Sequence, residues 1–384
     1  MTLPSSPAPT NPDDVMPTTS TIAWTDPARA AAFAQWLTTT SASCALDPLS
    51  LRLASADASF RRYFRIDQGA GSCIVMDAPP AQEDCAPFAK VAALMAQAGL
   101  NAPRVLAWDQ ANGFMLLSDL GSQTMMEVIQ QQASLDIVPQ NGEFIHRLYI
   151  DAVDALIQWQ LSSRPDVLPA FDDALLSREL ALFPDWYIAQ HRGITVDAAL
   201  QDKLAGFFTQ IKDSNLNSLG GARVFVHRDF MPRNLMVPSA YAHDASSVGD
   251  NSLGVLDFQD AVYGPITYDI ASLMRDAFLS WDEEFVIDIT IRYWQKARKA
   301  GLPVGDDFGE FYRAVEWMGL QRHLKILGIF ARLTLRDGKP QYLADTPRFI
   351  KYARSTASRY RSLGPLMVLL DEIEGNETRI GYTF

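Results

Sequence analysis

The pattern of apolar and polar positions changes character near residue 120. Upstream of that point, short apolar runs alternate with turn residues and predict a small antiparallel sheet. Phe88, Val91 and Met95 instead recur at helical spacing, and Gly99 followed by Pro103 ends that helix. The predicted strands cover residues 61–66, 71–76, 105–108 and 114–117.

Beyond residue 121, apolar residues fall at intervals of three or four and predict helices, the first of them marked by Ile145, Leu148 and Leu156. Residues 223–258 interrupt this pattern with three short apolar runs, and their polar loop at 238–253 is predicted to be solvated and mobile. The short runs are 224–226, 235–237 and 255–256, and further helices are predicted at 174–191, 198–213, 266–279, 283–299, 307–334 and 346–362.

Composition indicates a globular protein with a substantial core. The 384 residues are 48% apolar and 20% charged, and this length favours two or three packed units. Lys and Arg total 33 against 45 Asp and Glu, and the net charge of −12 disfavours binding to nucleic acid or to an anionic membrane. No stretch approaches the roughly 18 apolar residues that a membrane span requires.

The N-terminus and the cysteines favour a cytoplasmic location. Residues 1–20 are rich in Pro, Ser and Thr and lack Lys and Arg, which indicates a disordered leader rather than a secretory signal or transit peptide. Cys44, Cys73 and Cys85 lack metal-ligand spacing, and three scattered cysteines are typical of reduced thiols.

Residues 227–234 carry the most informative motif in the chain. Their sequence, His-Arg-Asp-Phe-Met-Pro-Arg-Asn, matches the phosphotransferase pattern H-R-D-x-x-x-x-N, and an Asp257-Phe258 pair follows where a metal-binding Asp is expected. Phosphoryl transfer needs a carboxylate for the attacking hydroxyl and separate oxygen ligands for Mg²⁺. Each residue alone is more typical of a turn or helix cap, but the combination predicts Asp229 as the base with Asn234 and Asp257 as metal ligands. We assign His227 to the scaffold of the loop.

The segment 226–273 resembles the aminoglycoside phosphotransferase and choline kinase group. The resemblance implies an α+β, two-lobed protein-kinase-like fold, with a small antiparallel-sheet N-lobe, one main helix there, and a larger helical C-lobe. It also implies that Asp269 is a buried acid steadying the catalytic loop. The corresponding division is a leader at 1–20, an N-lobe at 21–120 and a C-lobe at 121–384.

Within that group, the chain most resembles the bacterial cell-wall-recycling kinases, over about residues 30–370. Those enzymes phosphorylate the anomeric hydroxyl of N-acetylmuramate and N-acetylglucosamine. The resemblance therefore implies ATP and Mg²⁺ as cofactors, an amino-sugar substrate, and no obligate protein partner. Its specific segments are 225–234, 257–261, 114–121 and 74–80.

Two features of the family of protein kinases are missing from the nucleotide region. No Gly-rich loop precedes the first hairpin, and Met76 occupies the third-strand position at which a Lys holds the α- and β-phosphates. One hypothesis is that a nearby cation substitutes, together with backbone N–H groups near Ser59; the alternative is that the arginines decorate a solvated strand. The candidate cations are Arg61, Arg62, Arg65 and Lys90.

Adenine and acceptor sites are predicted less directly. Backbone groups near Ser118 and Leu120 are candidates for hydrogen bonds to adenine, with Met76 and Leu117 packing on the purine, unless this run is a plain interlobe linker.

Aromatic and polar side chains suit a sugar, and Arg322 with Lys325 would meet the lactyl carboxylate of N-acetylmuramate. The alternative is core packing for the aromatics and a solvated face for the rest. The acceptor candidates are Trp186, Tyr187, Trp317, Arg322, His323 and Lys325.

Three other functions remain open at this point. One is a kinase of an aminoglycoside, choline or another amine, since an acidic protein suits a cationic substrate. Another is a nucleotide-binding pseudokinase, motivated by the absent Lys and Gly-rich loop. A kinase of protein substrates is least favoured, because no activation segment ending in A-P-E follows Asp257-Phe258.

Overall fold

A computed structural model describes residues 22–56, 60–134, 138–238 and 253–375. The chain forms two compact units: the first runs to Cys85 and takes in Val105–Asp119, and the second comprises Ala86–Arg104 and the chain from Leu120 onward. The predicted leader 1–20, Ser59 and most of the predicted loop 238–253 lie outside the described residues. The helix that the sequence places in the N-lobe, α2 (Ala86–Gln97), groups with the second unit.

In its described residues, the first unit is a five-stranded antiparallel sheet with one helix, α1 (Pro27–Cys44). The strand order is β1-β2-β3-β5-β4, so the hairpin and the two later strands predicted from the sequence are all present. Helix α1 and strand β1 were not predicted. The strands are β1 (Leu46–Ala56), β2 (Arg62–Gln68), β3 (Gly71–Asp77), β4 (Val105–Asp109) and β5 (Phe114–Ser118).

Helix α1 closes one face of this sheet. Asp26 caps its first turn by accepting a hydrogen bond from the Ala28 N–H, and Pro27 suits the position after the cap. Phe33 then packs edge-on against Phe114, with ring centroids 5.3 Å apart. The buried core of this face contains Phe33, Leu37, Leu46, Phe64, Ile66, Cys73, Val75, Phe114 and Leu116.

The turn between β4 and β5 requires a glycine. Gly113 has φ +71°, and a Cβ there would lie 2.0 Å from the carbonyl oxygen of Ala78. The Gly113 carbonyl accepts a hydrogen bond of 2.9 Å from the Ala78 N–H. This close approach extends the pairing of β3 with β5 and holds their register.

The second unit is mostly helical, as the sequence predicts. Its central helix, α9 (Phe308–Leu335), has buried residues on all sides between Ala314 and Gly328. The other helices are α3 (Met125–Ser134), α4 (Val138–Leu161), α5 (Asp173–Leu182), α6 (Ala198–Asn217), α7 (Thr267–Met274), α8 (Glu283–Lys299), α10 (Thr346–Arg359) and α11 (Gly364–Glu374).

A π-helical segment, Phe183–His191, follows α5 where that helix meets α9. The backbone of α9 approaches Leu182 so closely that a Cβ on Gly328 would lie 2.2 Å from the Leu182 carbonyl oxygen. The sequence predicts one continuous helix over 174–191 and does not reveal this change of helix type.

Two small sheets interrupt the helices, and two of their strands flank the motif at residues 227–234. Strands β7 (Arg223–Val226) and β10 (Val262–Pro265) pair antiparallel, and β8 (Leu235–Val237) lies between β6 (Gln123–Thr124) and β9 (Gly254–Val255). Strands β7, β8 and β9 correspond to the three short apolar runs that the sequence shows, whereas β6 and β10 were not predicted. No helix within the described ranges is both long and apolar enough to cross a membrane.

Candidate active site

Asp229, Asn234 and Asp257 come together around one loop. The loop leaves β7 after Val226 and enters β8 through a 3₁₀ turn, Pro232–Asn234, whose first residue suits proline. The Asn234 Nδ2 group donates to the Asp229 carbonyl at 2.9 Å and to Asp257 Oδ2 at 3.3 Å. The two ends of the predicted motif and the Asp after β9 therefore lie within a single hydrogen-bonded cluster.

Asp269, in the first turn of α7, holds the start of this loop. Its Oδ2 accepts a 2.7 Å hydrogen bond from the His227 N–H, and its Oδ1 accepts one of 3.0 Å from the Arg228 N–H. Complete burial raises the pKa of Asp269 to about 7, while the two backbone donors act in the opposite direction. The carboxyl group thus satisfies two backbone donors that have no partner within a helix or sheet.

His227 is a neutral structural residue. Burial lowers its pKa to about 4. The Asp229 N–H donates to Nδ1 at 3.3 Å, so Nδ1 carries no proton and the Nε2 proton is directed to the Leu256 carbonyl at 2.9 Å. The imidazole thus joins Asp229 to the segment before Asp257 through two hydrogen bonds.

The backbone is strained at two points of this cluster. Arg228 has φ +79° and Asp257 has φ +63°, a region that non-glycine residues seldom adopt. Arg228 is held in this conformation by Asp269 at its N–H and by Arg322, whose Nη1 donates to the Arg228 carbonyl at 2.8 Å. Tertiary contacts therefore set the direction in which the chain enters Asp229.

A buried carboxylate, Glu179 of α5, binds the side chain of Arg228. It accepts hydrogen bonds from Arg228 Nη2 at 2.6 Å, Lys325 Nζ at 2.8 Å and Gln321 Nε2 at 2.9 Å. Burial alone would raise the pKa of Glu179, but the two cations lower it to about 2. Sequence reasoning missed Glu179, and its only signal is a charged residue beside the buried Leu176 and Leu180.

The predicted acceptor residues are distributed over several places. Arg322, His323 and Lys325 are buried, so the alternative of a solvated face is wrong. His323 stacks on Tyr352 with ring centroids 4.9 Å apart, and Trp317 packs against Tyr360. In the π-helical segment, Trp186 is half-buried and Tyr187 is buried, with its hydroxyl donating to Glu374 at 2.8 Å.

The predicted phosphate-binding cations of the first unit each bind a carboxylate. Arg61 Nε donates to Glu83 at 3.1 Å, Arg62 Nε to Asp77 at 2.9 Å and Arg65 Nε to Asp119 at 2.5 Å. The fourth candidate, Lys90, belongs to the second unit and donates to the Val167 carbonyl at 2.6 Å. The three arginines are half-buried, and they are more than decoration of a solvated strand.

The predicted purine-packing residues lie on one face of the sheet. Side chains alternate along a strand, so Met76 of β3 and Leu117 of β5 point away from the face that α1 covers. Both are buried, whereas Ser118 and Leu120 are half-buried.

The oxygen atoms of Asn234 and Asp257 fit a magnesium ion. Amide and carboxylate oxygens are hard ligands, and Mg²⁺ in such sites is held by one or two protein groups while phosphates and waters complete its shell. The Gln259 Nε2 group donates to Asp257 Oδ1 at 2.8 Å and orients the carboxylate. No three His, Cys, Asp or Glu side chains of the described part of the chain cluster as a metal site.

A small antiparallel sheet, a helical second unit and this loop define a phosphotransferase of the protein-kinase-like class. Residues 50–306 match the model of the phosphotransferase enzyme family, APH, and the chain belongs to this family. The predicted fold class and the prediction of an ATP-dependent kinase are thereby confirmed.

Known proteins with similar sequence or structure agree with this assignment. The N-acetylmuramate/N-acetylglucosamine kinase of Pseudomonas aeruginosa is 49% identical and covers 84% of this chain and 88% of its own length. The kinase of the same name from Neisseria meningitidis serogroup B is 46% identical and covers 87% and 94%. The choline kinase structure from Cryptosporidium parvum Iowa II shares the fold, with a TM-score of 0.54 at 11% identity over 88% of this chain and 99% of that one.

Proposed function

We propose that this enzyme transfers the γ-phosphoryl group of ATP to the anomeric hydroxyl of N-acetylmuramate, N-acetylglucosamine or both. The convergence of Asp229, Asn234 and Asp257 supports this reaction most directly. The two relatives named above, which act on these sugars by name, match this chain over 324 and 338 residues. The proposal places the enzyme in cytoplasmic recycling of peptidoglycan sugars, where ATP is available.

Asp229 acts as the general base in this proposal. The oxygen of the C1 hydroxyl forms a bond to the γ-phosphorus, the bond to the β-phosphate oxygen breaks, and the hydroxyl proton passes to the Asp229 carboxylate. An anomeric hydroxyl is more acidic than an ordinary alcohol because the ring oxygen withdraws electron density. The contacts of the Asp229 backbone with His227 and Asn234 support this role, because they fix the residue that carries the base.

Asn234 and Asp257 would hold Mg²⁺ when the triphosphate binds, and the chemistry that this ion would supply is neutralisation of charge on the phosphates. The Asn234 amide has its N–H₂ directed at the Asp229 carbonyl and at Asp257, so its oxygen is the atom that would serve as a metal ligand.

Nucleotide contacts are proposed for the residues chosen from the sequence. Arg61, Arg62 and Arg65 would have to exchange a carboxylate for a phosphate, and the carboxylate pairs keep these guanidinium groups ordered beforehand. The side chains of Met76 and Leu117 share a sheet face suited to a purine. The remaining proposed contacts are Ser59, Lys90, Ser118 and Leu120.

A coupled assay of ATP consumption tests the proposed function. The acceptor panel contains N-acetylmuramate, N-acetylglucosamine, an aminoglycoside and choline, each measured with Mg²⁺ and with EDTA. We expect turnover with the two sugars, loss of turnover in EDTA, and a fall of about 10²- to 10⁴-fold in kcat for Asp229→Asn with little change in ATP affinity. Asp202→Asn, on the exposed side of α6, is the matched control. A preference for the aminoglycoside or choline would refute the substrate, and near-normal turnover of Asp229→Asn would refute the base.

A further inference from the structure

The two cations that the sequence assigns to an acceptor carboxylate are bound inside the protein. Arg322 donates to the Arg228 carbonyl at 2.8 Å, and Lys325 donates to Glu179 at 2.8 Å. Both side chains are buried, and both stabilise the strained part of the catalytic loop. An acidic acceptor therefore needs a different cation.

Arg233 is the other cation of the catalytic loop. It stands between Pro232 and Asn234 in the 3₁₀ turn, four residues after Asp229. Because a 3₁₀ helix has three residues per turn, its side chain leaves the turn about a third of a turn away from that of Asn234. The Asn234 side chain is buried toward Asp229 and Asp257, whereas Arg233 is only half-buried.

The Arg233 guanidinium stacks on an aromatic ring and has its hydrogen-bond donors available. Its Cζ lies 4.8 Å from the centroid of the Phe278 ring. Within the described ranges it makes neither an ion pair nor a hydrogen bond, in contrast to Arg228, which is bound by Glu179. Stacking uses the flat face of the guanidinium, and the N–H groups lie in its plane with the geometry that binds a carboxylate in two hydrogen bonds.

Phe278 is held in place by the turn that follows α7. The buried Asp276 accepts hydrogen bonds from the Ala277 N–H at 2.6 Å and the Leu279 N–H at 3.2 Å, on either side of Phe278. The Phe330 ring lies 6.3 Å from the Phe278 ring. The aromatic platform, and with it the guanidinium, is thus ordered before a ligand binds, which reduces the entropy lost on binding.

We propose that Arg233 binds the carboxylate of an acidic acceptor sugar and so determines the preference between the two amino sugars; this inference rests on the proposed function. N-acetylmuramate carries a carboxylate on its lactyl ether, and N-acetylglucosamine has the same ring without it. The net charge of −12 repels an anionic acceptor on average, so a local cation is required to hold one, and Arg233 lies in the same loop as the proposed base.

The test compares kcat/KM for the two sugars in the wild type and in Arg233→Gln. The expected result is a fall of about 10- to 100-fold in the ratio of N-acetylmuramate to N-acetylglucosamine, the effect of losing a charged hydrogen-bonded pair. Arg233→Lys keeps the charge without the planar fork and should retain an intermediate ratio. A second measurement needs no variant: in the wild type, added NaCl should raise KM for N-acetylmuramate more than KM for N-acetylglucosamine.

A neutral substrate analogue completes the design. With the carboxamide of N-acetylmuramate, kcat/KM of the wild type should fall to the value that Arg233→Gln shows with N-acetylmuramate. For Arg233→Gln, kcat/KM should be the same with the carboxamide as with N-acetylmuramate. An unchanged ratio, or an equal fall for both sugars together with equal salt dependence in the wild type, overturns the role of Arg233 while leaving the proposed function standing. If the wild type phosphorylates neither sugar, both proposals are refuted.

Discussion

Replacing Glu179 by Gln removes the negative charge that compensates two buried cations. The Glu179 side chain is 4% exposed, and it binds Arg228 at 2.6 Å and Lys325 at 2.8 Å. Gln has nearly the same shape, so packing is preserved while Arg228 and Lys325 are left without a counter-charge. Removal of one partner from a buried ion pair is far more damaging than absence of the whole pair.

The size of the effect follows from the pKa. The folded protein lowers the pKa of Glu179 from its ordinary value of 4.5 to about 2, and this difference corresponds to about 3 kcal/mol of unfolding free energy. A loss of that size in Glu179→Gln lowers Tm by about 6 to 12 °C. Because the pKa is lowered in the folded state, the contribution is fully present above pH 4.5 and is lost as the pH falls toward 2.

Urea unfolding at pH 7, 5 and 4 measures this difference. The gap in unfolding free energy between wild type and Glu179→Gln should be equal at pH 7 and 5 and smaller at pH 4. Lys325→Met in the Glu179→Gln background should recover part of the loss, since it removes one uncompensated cation. The control is Glu372→Gln, which breaks an exposed pair with Lys203 at 3.3 Å and should cost less than about 1 kcal/mol. A gap no larger than that of the control would refute the reasoning.

Two further variants test the packing of α9. Gly328→Ala should lower the unfolding free energy by about 1–3 kcal/mol because its Cβ would meet the Leu182 carbonyl. The control, Gly364→Ala, should be nearly neutral because a Cβ there has nothing within 4 Å. Equal Tm values for the two variants would contradict this contact. Burial lowers the pKa of His323 to about 3, so the wild type loses stability at this residue as the pH falls below 6.5. His323→Phe can still stack on Tyr352. Its free energy of unfolding, measured by urea titration, should therefore rise relative to that of the wild type by about 1.4 kcal/mol for each pH unit between pH 6 and 4. A difference that does not depend on pH would disprove a buried neutral imidazole.

The catalytic cluster could be predicted because its information is local. Asp229 and Asn234 lie in one loop, and Asp257 directly follows the apolar run 255–256, so the motifs mark all three residues. Most helices of the second unit and most strands of the first were likewise predicted from periodicity within a dozen residues, whereas α3 and α11 were not predicted.

Contacts distant in sequence could not be predicted. Glu179 meets Lys325 across 146 positions, and α5 contains no motif that announces the pairing. Arg322 and Lys325 are buried because α9 is surrounded by other elements, and the sequence did not predict their partners, the Arg228 carbonyl and Glu179. Helix α1 was not predicted because its Ala, Ser and Thr residues give only a weak apolar stripe.

Helix α1 belongs to the first folded unit but lies outside the residues that match the family model. The match begins at residue 50, yet Phe33 and Leu37 on α1 complete the core against β2, β3 and β5. A fragment trimmed to residues 50–306 would expose that apolar sheet face to water, and at its other end it would lack the whole of α9, the helix that holds Arg322. Boundaries for expression must therefore be drawn from the cores of the two units and not from the extent of sequence similarity.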